Sequence, residues 1–415
     1  MRTFRIITFG CKVNQYDSQQ WRAALVRAGL SEAGGDGGCD VALVNTCTVT
    51  AAADAQARQT IRKCRMHNAQ CRIVVAGCYG QVGAAALRKL PEADLVVGRY
   101  GPEAFAAVRD LLGLSGGAFA EGIGGFAGHT RAFLKVQDGC DHRCSYCIVP
   151  LARGRSRSRQ LAEAIVEAQR LALAGHKELV VTGVRLGEYR PSLRVLLRSL
   201  ETVPGVERIR LSSLEPDDLD GDTIDAIAQS RKTARHLHLP LQSGDDRILR
   251  SMRRPYTLRR FSDLLAAVRR AVPEMTFGTD IIAGFPGETE EQFNRSYQAV
   301  RDLPITHLHV FTYSRRPGTA AAAMAGQIPG PVMRERSQRL RDMFEKKQRA
   351  YWETQSGSTT PVLFESHANG LWTGLGEHYF RVGVPSREEL GNALRTVRLT
   401  RAAEGGMSGD LIAQQ

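Results

Sequence analysis

Three cysteines, Cys140, Cys144 and Cys147, stand within eight residues in the segment QDGCDHRCSYCIVPLARGRSRSR, which runs from Gln137 to Arg159. Thiolates this close can hold a four-iron cluster, and three of them leave one iron without a protein ligand, open to chelation by a small molecule. Two other readings compete with this one, a zinc knuckle and a metal-free group of buried thiols. A structural zinc site closes with four ligands, and His142 lies between the cysteines, where it cannot easily turn inward. Chemistry at an open iron fits the spacing best.

A second set emerges from the elements that precede it. FRIITF (4–9), VALVN (41–45), RIVVAG (72–77) and DLVVG (94–98) are apolar runs of strand length with helical patterns between them, one up to Leu30 and an Ala-rich one from Ala51. Strands alternating with helices at this interval predict βαβ units and a parallel sheet. Ligands of such sheets bind outside the carboxyl ends of the strands. Cys11, Cys47 and Cys78 each sit just past a predicted strand end, so the sheet would bring three thiols to one rim. A ligand role and a chance placement of small buried cysteines both satisfy this pattern. Cys39, Cys64 and Cys71 precede a strand or lie on a helix and read as ordinary free thiols.

The chain of 415 residues is long enough for two or three domains. No apolar run of membrane-spanning length and no signal-peptide core is present, so the expectation is a cytoplasmic protein with no membrane partner. Nine cysteines in that compartment argue for metal or catalysis over disulfides. The net charge of +13 favours an anionic partner. It is concentrated: 131–160 carry seven Lys/Arg against two acids, 231–270 eleven against three, and 331–350 seven against three. Such clustering reads as a path for a phosphate backbone, or as a solvated basic face.

Residues 112–130 are Gly-rich and mark a boundary. Beyond them AFLKVQ (132–137), ELVVTG (178–183), RIRLSS (208–213), HLHLPL (236–241), TFGTDIIAGF (276–285) and HLHVFTY (307–313) read as strands separated by helices. Six such repeats predict an open, partial barrel with its site at the carboxyl ends of the strands. A charged helical stretch from Val332 to about Ser356 follows. Short strand candidates at 360–365, 370–376, 378–384 and 394–400 then predict a small β-barrel. The fold class is α/β, with an N-terminal parallel-sheet domain at 1–115, a linker at 116–130, a central partial (β/α)6 barrel at 131–350 and a C-terminal β-barrel at 351–415.

The spacing C-x3-C-x2-C resembles the signature of the radical S-adenosylmethionine (SAM) enzymes. TFGCKVNQYDS (8–18), VNTCTVT (44–50) and VVAGCYGQ (74–81) narrow the resemblance to their methylthiotransferase branch, and the terminal barrel resembles an RNA-binding TRAM domain. The resemblance covers nearly the whole chain. It implies two [4Fe-4S] clusters, one on Cys140, Cys144 and Cys147 that cleaves SAM to a 5′-deoxyadenosyl radical, and one on Cys11, Cys47 and Cys78 that carries the sulfur. It further implies a reducing protein as electron donor, a sulfur donor, and a substrate in the anticodon arm of tRNA. FGCKVNQYDS and ARGRSRSR look like the branch that methylthiolates C2 of N6-threonylcarbamoyladenosine, position 37 of tRNA. The alternatives are isopentenyladenosine in tRNA, a ribosomal protein, or a non-catalytic iron–sulfur RNA-binding protein.

Weaker matches at TGVRLGEY, LSSLEP, LPLQSG and DIIAGFPGET imply contacts with SAM from Gly183, Glu215, Gln242, Ser243 and Gly284, each of which is equally a turn or capping residue. Arg153, Arg155, Arg157 and Arg159 alternate, and in an extended segment would face one way, toward an RNA phosphate backbone. Leu151 and Arg185 depart from the residues usual in the family. Residues 356–415 carry five Lys/Arg against six Asp/Glu, so the terminal barrel would have to use shape or aromatic residues such as Trp372, Tyr379 and Phe380, which could equally be core.

Overall fold

The computed structural model describes residues 2–34, 38–117, 119 and 121–412. Contacts divide the chain into two compact units. The first comprises Met1–Ala127, Gln137–Arg157 and Ser314–Ala322; the second comprises Gly128–Val136, Ser158–Tyr313 and Ala323–Gln415. The segment bearing Cys140, Cys144 and Cys147 thus packs as part of the first unit. Of the expected linker at 116–130, residues 118 and 120 lie outside the described residues.

In the first unit, β1 (Thr3–Thr8), β2 (Ser31–Glu32), β3 (Val41–Thr46), β4 (Arg72–Gly77) and β5 (Leu95–Val96) form a parallel sheet in the order β2-β1-β3-β4-β5. The apolar run VALV is continuous because both faces of β3 are covered. Val41 and Leu43 pack with Phe4, Trp21, Leu25 and Phe105 on one side, while Ala42 and Val44 pack with Ala57, Ile61 and Val75 on the other. The helix Lys12–Arg27 follows β1, and the helix Ala51–His67 follows β3 behind a Thr50 cap whose side chain accepts from the Ala53 N–H.

In the second unit, β6 (Ala132–Lys135), β9 (Glu178–Thr182) and β10 (Arg208–Leu211) form one parallel sheet, and β11 (His236–His238), β12 (Thr276–Ala283) and β13 (Ile305–Thr312) form another. The bridge between Ile209 and Thr233 joins them into an arc of six parallel strands. The strands β7 (Gln137–Asp138) and β8 (Arg157–Ser158), two-residue pieces around the central cysteine loop, lie in the first unit except for Ser158. After the helix Gly330–Thr354, the strands β14 (Thr359–Ala368), β15 (Leu371–Gly376), β16 (Arg381–Pro385), β17 (Leu394–Ala403) and β18 (Gly406–Leu411) close a barrel in the order β14-β15-β16-β18-β17. The mixed α/β class, the partial barrel and the terminal β-barrel are as expected.

The terminal barrel is attached to the arc through buried charge. Glu178 accepts from Arg208 Nε at 2.5 Å and from Arg210 Nε at 2.8 Å. The two guanidiniums spend their other N–H groups on the carbonyls of Pro361, Leu375, Gly376 and Glu377. Among the described residues no helix is long and apolar enough to cross a membrane.

Candidate active site

The parallel register decides where the first three cysteines go. Thr8 pairs with Asn45 and Thr46 with Gly77, so the carboxyl ends of β1, β3 and β4 lie side by side and Cys11, Cys47 and Cys78 follow them at one rim. Two glycines make room. Gly10 has φ +100°, and a Cβ there would lie 2.7 Å from Cys47 Cβ and 3.0 Å from its sulfur; Gly77 has φ +92°, and a Cβ would lie 2.4 Å from Asn45 Oδ1. Asn14, fully buried, knits the rim: its Nδ2 donates to the carbonyls of Phe9 and Thr46, both at 2.8 Å, and its Oδ1 accepts from the Cys78 thiol at 3.6 Å.

Burial pushes the Cys78 thiol up to about 12 and raises that of Cys47, and Cys11 is close enough to add to both shifts. Such thiols stay protonated by themselves, so a bound metal must displace their protons. None of the nine cysteines is in a disulfide. Three convergent thiols in a glycine-lined cradle fit an iron–sulfur cluster.

The second triplet is carried by a loop closed on itself. Cys140 N–H donates to Gly154 O and Cys147 N–H to Cys144 O, both at 3.1 Å. Gly139 has φ +77°, and a Cβ there would sit 2.0 Å from Arg155 O. Gln137 Nε2 holds the loop from beneath, donating to Gly139 O at 2.7 Å and Ser156 Oγ at 2.9 Å. The Ala321 N–H adds a bond to Ser145 O at 2.7 Å.

Arg153 ties this loop to the first rim. It ends the short helix Val149–Arg153, is buried, and reaches Asp138 and Asp17 at 3.0 Å each as well as Asn14 Oδ1. Burial disfavours its charge, but Asp17 and Asp138 outweigh that cost and keep it protonated, beside Cys78 and Cys11. A phosphate-gripping role for Arg153 is therefore corrected. The segment is helical up to Gly154, so the alternation expected of an extended chain starts only beyond it. Arg155 (side chain 94% exposed) and Arg157 face solvent. Arg159 is mostly buried and paired with Glu163 at 3.7 Å and Glu167 at 3.0 Å, which removes it from that set too. A second buried guanidinium, Arg316, lies beside the Cys47 loop, donating to Thr48 Oγ1 at 2.8 Å and to Asp54.

Residues 3–98 match the profile of Uncharacterized protein family UPF0004, and residues 134–300 that of the Radical SAM superfamily. The chain is 35% identical over 426 residues to the Bacillus subtilis protein named Threonylcarbamoyladenosine tRNA methylthiotransferase MtaB, covering 97% of this chain and 94% of that one. The chain belongs to the radical SAM tRNA methylthiotransferase family. A family member from Pelotomaculum thermopropionicum, named tRNA-2-methylthio-N(6)-dimethylallyladenosine synthase, is 35% identical over 88% of this chain and 87% of its own. Among solved structures, the radical S-adenosylmethionine methyltransferase TsrM from Kitasatospora setae shares the fold with a TM-score of 0.56 at 16% identity, covering 90% of this chain and 80% of that chain.

The radical SAM segment also contains the residues expected near SAM, at the carboxyl ends of successive strands of the second unit. Gly183 follows β9. Glu215 follows β10; burial raises its pKa, Arg254 opposes that by ion-pairing with it, and Arg254 is itself held by Tyr256 Oη at 2.8 Å. Gln242 adopts φ +72° yet stays paired alongside β12, donating its N–H to Asp280 O at 2.7 Å and accepting from the Ile282 N–H at 3.0 Å. Gly284, with φ +79°, donates to Glu288 Oε2 at 2.8 Å. Ser243 differs from the expectation: it is 0% exposed, its hydroxyl lies 3.1 Å from that of Ser296 and accepts from the Asp245 N–H, so it braces the helix Glu290–Asp302 and offers no atom to a ligand.

Four ambiguous positions resolve. Arg185 is consumed by ion pairs to Asp217 at 2.9 Å and Asp218 at 2.5 Å. Trp372 and Phe380 belong to the terminal barrel's core. Tyr379 stacks on His236 with ring centroids 4.7 Å apart.

Proposed function

We propose that the protein adds a methylthio group to C2 of N6-threonylcarbamoyladenosine beside the anticodon of tRNA, using Cys140, Cys144 and Cys147 for one [4Fe-4S] cluster and Cys11, Cys47 and Cys78 for the other. The observation that carries this reading is the near full-length similarity to proteins named for that reaction, from Bacillus subtilis, Chlamydia pneumoniae and Thermotoga maritima at 34–35% identity. Bound in these two sets, the clusters and SAM would supply a one-electron cleavage of SAM and the sulfur for transfer.

The chain's own residues do the rest. Gly10 leaves room for Cys47, Gly77 and Gly139 let the backbone pass close to Asn45 and Arg155 beside the two cysteine sets, and Asn14 fixes the first rim. Arg153 brings a permanent positive charge against thiolates that would otherwise be costly to bury. Glu215, Gln242 and Gly284 are the residues we assign to SAM on the second unit's strand ends. Arg155, exposed and only loosely paired with Asp141 at 3.6 Å, and the exposed Arg157 are the two placed to meet phosphate. The reaction takes place in the cytoplasm, with a reducing protein and a sulfur donor as partners.

A second reading, isopentenyl-type adenosine as substrate, is favoured by the equal identity to the Pelotomaculum protein over a smaller share of the chain. Anaerobic incubation with SAM, dithionite and tRNA carrying each nucleoside separates the two. The expected product is methylthiolated threonylcarbamoyladenosine with release of 5′-deoxyadenosine. Changing Cys11, Cys47 and Cys78 to Ala should stop methylthio transfer and leave SAM cleavage measurable. Undiminished transfer by that variant overturns the assignment of the first rim.

A further inference from the structure

The arc of strands in the second unit brings together three side chains that none of the chemistry above uses. His238 on β11 pairs in register with Gly278 on β12, and Asp280, two residues further along that strand, pairs with His309 on β13. Because side chains alternate along a strand, all three point to one face. Gly278 is the reason that His238 can lie over β12: a Cβ at that position would be 2.6 Å from the imidazole Nδ1.

One carboxylate oxygen, Asp280 Oδ1, is 2.9 Å from His238 Nε2 and 3.0 Å from His309 Nδ1. One donor atom from each of the three residues falls within 4.8 Å of the others. Neighbouring ligands at right angles around an ion, each about 2.1 Å from it, stand about 3.0 Å apart. The two nitrogen–oxygen separations therefore already match those of neighbouring ligands on one cation.

We propose that His238, Asp280 and His309 form a binding site for a divalent first-row transition cation such as manganese, iron(II) or zinc. Two imidazoles and a carboxylate on one face of the ion leave further coordination positions open. The set contains no thiol, which separates its preference from that of the six cluster cysteines. His309, with its side chain 49% exposed, provides the open side, while His238 and Asp280 are largely buried. Around this set, His307 Nε2 is 3.1 Å from His309 Nε2 and orients that ring as outer partners of metal-ligating histidines do.

The test uses the full chain with its iron–sulfur clusters loaded, titrated anaerobically with Mn(II), which thiolates bind poorly. The expected result is loss of about one equivalent of the six-line signal of the free ion, nitrogen couplings from histidine on the bound ion in pulsed EPR, and release by one equivalent of Zn(II). His309→Ala, at the exposed side of the site, and Asp280→Asn should each weaken binding more than about tenfold. Unchanged iron content in both variants verifies their fold. The proposal is overturned by failure of the loaded protein to retain either Mn(II) or Zn(II), by a bound ion without nitrogen coupling, or by unaltered affinity in both variants.

Discussion

Replacing Arg153 with Met tests how the two cysteine sets are held in one unit. The substitution keeps much of the side chain's length and removes the charge, leaving Asp17, itself 3% exposed, with a buried carboxylate that has lost its guanidinium. Breaking a buried pair in this way costs about 3–5 kcal/mol. Asp138 and Asn14 lose a donor at the same time. With a urea m-value of about 3 kcal/mol per molar, the midpoint should fall by roughly 1–2 M. The assay is anaerobic urea unfolding of the metal-free chain by circular dichroism, paired with iron content after reconstitution. Arg153→Lys should recover part of the loss, because it restores the charge without the fork that reaches several partners at once. A shift in stability below about 1 kcal/mol, with full iron loading, would refute the view that Arg153 is a buried anchor.

Two other outcomes follow from the same geometry. Glu178→Gln leaves Arg208 and Arg210 buried without their carboxylate and should destabilise the second unit by about 3 kcal/mol, seen as a lowered thermal midpoint. The pH dependence has a defined sign. Burial pushes the Glu178 carboxyl up, but Arg210, Arg208 and Arg131 bring it down from 4.5 to about 2, so its stabilisation is full above about 4.5 and is lost as pH falls toward 2. The Gln variant should lack that acid-side slope, and retention of the slope contradicts the assignment. Reversing Arg155 and Arg157 to Glu should weaken tRNA binding and flatten its salt dependence, since fewer counterions are released; binding equal to that of the unmodified protein at every salt concentration would make them an ordinary solvated face.

Much of the fold could be read from the chain because its strands are buried on both faces and so appear as apolar runs. RIVVAG coincides with Arg72–Gly77. Strand ends were less legible: HLHLPL yields only His236–His238, since Pro240 has no N–H for a ladder and Gln242 turns to a positive φ. The last strand, Gly406–Leu411, carries two glycines and little β-branching, so nothing in its composition announces it. The convergence of Cys11, Cys47 and Cys78 was legible because strand ends in a parallel sheet share an edge.

Arg153 was misread for a local reason. Alternation is informative only in an extended segment, and Pro150 near the start of a short helix, with Gly154 after it, was the signal that this segment is not extended. His238, Asp280 and His309 could not be found in the sequence, because they meet only through the register of three strands.

The central claim is tested most directly by mass spectrometry of tRNA nucleosides from cells that make this protein and from the same cells without it. The account predicts that 2-methylthio-N6-threonylcarbamoyladenosine disappears without the protein, N6-threonylcarbamoyladenosine rises in its place, and a version with Cys140, Cys144 and Cys147 changed to Ala does not restore it. Unaltered 2-methylthio-N6-threonylcarbamoyladenosine, or a loss confined to the methylthiolated isopentenyl nucleoside, would contradict it.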